Sequence, residues 1–224
     1  STVNAVGSRA AAVAAVMALL MLPDQARASS CEHPLQVAWP SDRPPLSSRE
    51  QGQPVGLLAH QLQALGTQVA LHSVPLPAAA LADRQLPAGV QAVLGWPRAQ
   101  LPPGWVASQA YLQVPQVIVR RQGAPVVLGL EDLRDRTVAS PDRVPLAARL
   151  TEQAPGAQLL APAPLGDALS LLRTGLIDAV IANLGEVEAA LRAMPGDPLV
   201  IAAPAGFDDA LVLAAVPACA GVVA

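Results

Sequence analysis

The chain contains no lysine, and all 14 of its basic residues are arginine. In a sequence this rich in alanine, proline and glycine, that reads as codon composition and not as a functional choice. Aromatic residues make up 2% of the chain and the net charge is −3. There is no basic footprint to meet phosphates and there are few rings on which bases could stack, so nucleic acid is excluded as a partner. The three histidines, His33, His60 and His72, are not at metal-ligand spacing, so neither a metal nor any other cofactor is expected. No serine sits in a G-x-S-x-G elbow, and no phosphate loop or G-x-G-x-x-G follows a strand. Glu186 and Glu188 read as a solvated helix flank, and Asp208-Asp209 as a turn with nothing converging on it. No catalytic residue is nominated, and the chain reads as a non-enzyme. Charge is scarce too, at 14% against 52% hydrophobic residues, so a sizeable core is expected.

What is present begins with a leader. Arg9 precedes an apolar run, Ala10 to Leu22, that is short for a bilayer span. Ala26-Arg27-Ala28 then supplies a cleavage site. Residues 1–28 are therefore expected to be a signal peptide, cut near Ala28, and the remainder a periplasmic protein. Export implies an oxidising compartment. The two cysteines, Cys31 and Cys219, either tie the ends of the mature chain by a disulfide or remain separate buried thiols.

The clearest organising stretch is Pro164 to Asn183. Leu165, Ala168, Leu169, Leu172 and Leu176 recur at helical spacing. Gly175 stands where a helix stops, and Ala179-Val180-Ile181-Ala182 reads as a strand covered on both faces. The same order of helix, glycine and strand occurs at Leu81–Leu86, Gly89 and Val90–Leu94. Strands alternating with helices predict an α/β fold with parallel pairing, and the repeat predicts two similar lobes. The expected division is lobe 1 over 29–116 with a return segment 201–224, and lobe 2 over 117–200. Separate strands are expected at 199–202 and 210–216.

In parallel sheets, ligands sit beyond the carboxyl ends of strands. That directs attention to the loop after Trp39, which contains Asp42, and to the loop of Trp96 and Arg98. Trp39 and Trp96 are candidates to pack flat on a ligand, with lobe-core packing as the alternative. Arg98 and Arg143, in opposite loops, are candidates to clamp an anion, with a solvated surface position as the alternative. Ser140 and Asn183 offer neutral hydrogen bonds from the second lobe, and Tyr111 opens the crossover between lobes.

The order of the P-P-L-S loop (Pro44–Ser47), the segments "SQAYLQVPQVIVRR" (Ser108–Arg121) and "LEDLRDRTVA" (Leu130–Ala139), and "TGLIDAVIAN" (Thr174–Asn183) resembles the type 2 periplasmic solute-binding proteins, family 3. The resemblance covers roughly residues 33–219. It implies the periplasmic-binding-protein-like II, or Venus-flytrap, architecture: two lobes, each a mostly parallel sheet flanked by helices. It implies a small-molecule solute, a monomer, and an ABC permease as partner. The same domain serves as the sensor of membrane-bound histidine kinases, which makes a signalling kinase the alternative partner. Some relatives are dehydratases. The chain departs from the amino-acid-binding pattern: Leu101 stands where those members carry the carboxylate-binding arginine, Asn183 where they carry an acid, and Leu46 where they carry an aromatic. A zwitterionic amino acid is therefore not expected, and a small polar or anionic solute is.

Overall fold

The computed structural model describes residues 31–141, 143–161, 163–196 and 198–224, and of 143–145 the backbone only. The expected leader lies outside the described residues. No helix among them is long and apolar enough to cross a membrane.

The chain opens with β1 (Leu35–Pro40), the hairpin β2 (Ser48–Glu50) and β3 (Gln53–Val55), and α1 (Leu57–Gly66). β4 (Leu71–Leu76), α2 (Ala78–Ala82), β5 (Ala92–Pro97) and the short β6 (Val106–Ala107) follow. β7 (Leu112–Arg121) leads into β8 (Thr137–Ala139), α3 (Arg143–Gln153) and β9 (Gln158–Leu159). Then come α4 (Leu165–Thr174), β10 (Ala179–Asn183), α5 (Leu184–Arg192) and β11 (Leu199–Ala215). The main sheet runs β4-β1-β5-β11-β7-β10-β8-β9, with β6 also on β11. Pairing is parallel at β4-β1-β5 and at β10-β8-β9. It is antiparallel wherever β7 or β11 takes part.

Each parallel group is covered on both faces, which explains its unbroken apolar sequence. In β10, Val180 and Ala182 point into one cluster with Leu169, Leu172 and Val187. Ala179 and Ile181 point into the other, with Leu130, Leu133, Leu146 and Leu150. In β1, Leu35, Val37 and Trp39 pack with Leu58, Leu62 and Leu94, while Ala38 faces Val93, Leu81 and Val212. Gly175 ends α4 in the left-handed conformation (φ 82), as its position after the apolar spacing predicts. Leu176, counted as part of that spacing, lies beyond the helix end and is 70% exposed.

The strands expected at 199–202 and 210–216 are one strand of 17 residues. Pro204 and Gly206 look like breakers, but the strand runs on through them, with a register irregularity between Pro204 and Asp208. Asp208 and Asp209 are therefore strand residues and not a turn. Ala202, Ala205 and Phe207 pack with Leu130, Leu133 and Leu146. The connection between β2 and β3 is a tight hairpin turn. Gln51 and Gly52 both have positive φ (50 and 82), as a two-residue type I′ turn needs.

Cys31 and Cys219, 188 positions apart in sequence, are joined by a disulfide with Cα atoms 4.9 Å apart. Cys219 is buried in the same cluster as Leu35 and Trp39.

Candidate functional site

The carboxyl ends of β1 and β10 face each other across a cleft between the two groups of parallel strands. Beyond β1 the chain is held tightly. The backbone amide of Ser41 donates to Leu76 O at 2.8 Å, and Arg43 and Ser47 exchange two backbone hydrogen bonds of 2.8 and 2.9 Å. Ser47 is fully buried. Beyond β10, Asn183 caps α5, its Oδ1 accepting from the amides of Gly185 (2.8 Å) and Glu186 (3.2 Å). Asparagine at this position satisfies donors that a helix start leaves orphaned.

These two anchored ends present opposite charges. The Arg43 guanidinium donates from Nε to Glu186 Oε1 at 2.7 Å and from Nη2 to Oε2 at 2.9 Å. The two side chains are only 12% and 7% exposed. This is the parallel, two-point geometry in which an arginine–carboxylate pair is strongest. Glu186, read from sequence as a solvated flank, is therefore a buried partner. Its place in the N-L-G-E sequence after β10 marks it as a third helical residue, but nothing local indicates that its carboxylate meets a residue 143 positions earlier.

Beside the pair lies a cavity of about 250 Å³. Its walls are mostly small and apolar (Ala78, Ala79, Ala82, Pro141, Pro164 and Leu165), with Asp42 and Asp83 at its edge. Asp42 Oδ1 also accepts from the amide of Ala78 at 2.7 Å, fixing the start of α2. Of the expected site residues, Asp42 alone lines this cavity as described.

The others are placed elsewhere or used structurally. Trp39 is 2% exposed and belongs to the core. Trp96 is 1% exposed and stacks edge-on against Trp105, with ring centroids 5.4 Å apart. Strand alternation would put Trp96 on the face of Leu94. Gly95 (φ 80) forms a bulge opposite Val212 and Leu213 and sends it to the face of Val93 instead. Trp96 also lines a small pocket with Pro40, Arg43 and Ala78. Arg98 turns back on its own half and donates from Nη2 to Ser108 O at 2.6 Å. Tyr111 lies on the far side of the same half, against Leu65, Gln68 and Val223. Its hydroxyl is buried beside the Gly95 backbone, and burial pushes its pKa far above the ordinary tyrosine value. Ser140 is 2% exposed and Asn183 is engaged as a cap. Arg143 begins α3, and its side chain lies outside what is described. Among the described residues there is no group of three or more metal-ligating side chains.

No family model and no curated protein matches the sequence. Solved structures do match. Holo arginine-binding protein from T. maritima aligns with a TM-score of 0.69 at 19% identity, over 84% of this chain and 85% of that one. A histidine kinase sensor domain with similarity to periplasmic binding proteins gives 0.69 at 22% identity, over 86% of each chain. The periplasmic VFT2 domain of Bordetella pertussis BvgS gives 0.65 at 23% identity, over 81% of this chain and 80% of that one. The fold is that of the type 2 Venus-flytrap domains, which serve in those proteins for binding and for sensing.

Proposed function

We propose that this chain is an exported Venus-flytrap domain that binds a small solute in the cleft between its two halves, without catalysis. The observation that carries this reading is the cavity beside Arg43 and Glu186, formed where the carboxyl ends of strands from both halves meet. A concave, mostly apolar site with a few polar groups at its edge is the usual form of a small-molecule pocket. Arg98 donates from Nη2 to Ser108 O and is not among the residues that line the cavity. Among the described residues, the charges lining the cavity are Asp42, Arg43, Asp83 and Glu186, so the acidic groups outnumber the single cation. An uncharged or amine-bearing solute suits that wall better than an anion.

Two outputs fit a binding domain of this kind: delivery to an ABC permease, or signalling to a kinase. One observation favours the sensor. Asn183, which stands where amino-acid-binding relatives are expected to carry an acid, is used up as a helix cap. At this position the chain departs from the amino-acid-binding pattern while the fold is kept.

A thermal-shift screen of the purified protein against amines, neutral polar solutes and small acids tests the reading. A solute at a hundredfold excess over its dissociation constant adds about 2.7 kcal/mol of stability. A midpoint rise with an amine or neutral solute, reduced in Asp42→Ala, supports it. A response to acids alone would replace the proposed ligand class, and a folded protein that answers to no solute of any class would retire the binding reading.

A further inference from the structure

We infer that Arg43 and Glu186 form a built-in latch: a tethered pair of charges that draws the two halves together without help from a solute. The inference rests on the reading of the cleft as the binding site and concerns how that site is regulated. The pair belongs to both halves, one partner from each. Arg43 is positioned by its two backbone bonds to Ser47, and Glu186 by the cap of Asn183 on the helix that carries it. Neither end has slack, so the two-point contact forms only when the halves approach. Once formed it is largely shut off from water, with side chains 12% and 7% exposed. A buried carboxylate that loses its cation is strongly disfavoured. Withdrawn from each other and hydrated, the same groups carry no such penalty. Removing Arg43 therefore strands Glu186 in the approached arrangement alone, and tilts the balance towards separation.

The guanidinium fork and the carboxylate already satisfy each other. A solute entering the cavity beside them meets walls of alanine, proline and leucine, and adds to a closure that the chain itself has begun. For a sensor this sets the resting signal. For a carrier it would work against release.

The test is a distance measurement across the cleft, on the full chain with its disulfide intact. Spin labels are placed at Gln85→Cys and Ser170→Cys, exposed positions in the first and second half. In the absence of added solute, the otherwise unaltered protein should give one short, narrow distance distribution. Arg43→Gln should convert it to a longer one, with the open-to-closed ratio rising roughly a hundredfold or more. The double variant Arg43→Met with Glu186→Leu removes the mutual attraction as well as the stranded charge: a distance that stays long supports the latch, and a return to the parent's short distance would overturn it. An Arg43→Gln distribution identical to the parent's would overturn the latch, as would a parent that is already broad and long. If Arg43→Gln does not fold, Arg43→Lys keeps the charge and loses the fork; broadening then supports the latch and an unchanged distribution overturns it. A latch that opens in a protein for which no solute raises the midpoint would leave this inference standing and remove the binding reading. The reverse pattern would do the opposite.

Discussion

Gln116 and Asp209 are joined side chain to side chain across the two strands that connect the halves. Nε2 of Gln116 donates to Oδ2 of Asp209 at 2.9 Å, and the two residues are only 3% and 5% exposed. A buried carboxylate that loses a hydrogen-bond donor costs about 1–3 kcal/mol. Gln116→Leu, similar in volume but unable to donate, should lower the urea-unfolding stability by that amount. A midpoint equal to the parent's would show that this contact contributes nothing.

Asn183 separates a capping role from a ligand role. Asn183→Ala should cost about 1 kcal/mol through the lost cap, whereas Asn183→Asp, an equally good cap, should stay within a few tenths. If solute binding follows stability through both variants, the residue acts through α5. Lost binding in Asn183→Asp at full stability would instead make its amide a ligand contact.

The disulfide closes a loop of 188 residues. In the chain-entropy picture, closing so long a loop stabilises by about 5 kcal/mol. Cys31→Ser with Cys219→Ser should lower the unfolding free energy towards that limit, and added reductant should do the same to the parent but not to the variant. A reductant effect on the double variant would mean that something other than this bond is being read.

Tyr111 is the single tyrosine of the chain, so its titration is readable without ambiguity. Burial raises its pKa in the folded state above the ordinary value of about 10. The sign follows directly. Below pH ~10 both folded and unfolded chains carry the neutral phenol, and the full stability is present. Above it the unfolded chain ionises first, and stability falls by about 1.4 kcal/mol per pH unit. The phenolate absorbance should stay silent through the ordinary range in the folded protein and appear with unfolding. A normal titration in the folded protein would show that the hydroxyl is open to water.

Much of the architecture was legible because it is written locally. The apolar spacing of α4, the stop at Gly175 and the apolar run of β10 sit side by side in sequence, and the structure places them in that order. What escaped was non-local. Nothing near Gly95 reveals a bulge, because the bulge exists only against Val212 and Leu213 on another strand. That one glycine decides which core Trp96 enters. Pro204 reads as a strand end until its partner strand shows an irregularity there. The site was the least legible part. Polar and aromatic residues at strand ends drew attention, yet several of them serve the core or the caps. The pair that crosses the cleft, Arg43 with Glu186, depends on two distant loops arriving together.

The second half of the molecule is in effect spliced into the first, and its two stems, β7 and β11, run antiparallel and hydrogen-bonded from Leu112 and Leu211 to Arg121 and Leu199. Two zipped stems behave as a ribbon. A ribbon bends across its faces and twists about its length, but it does not slide, because a slip of one residue would turn every side chain to the wrong side. The movement such a ribbon permits is therefore flexing and torsion, and its ladder is irregular between Pro204 and Asp208.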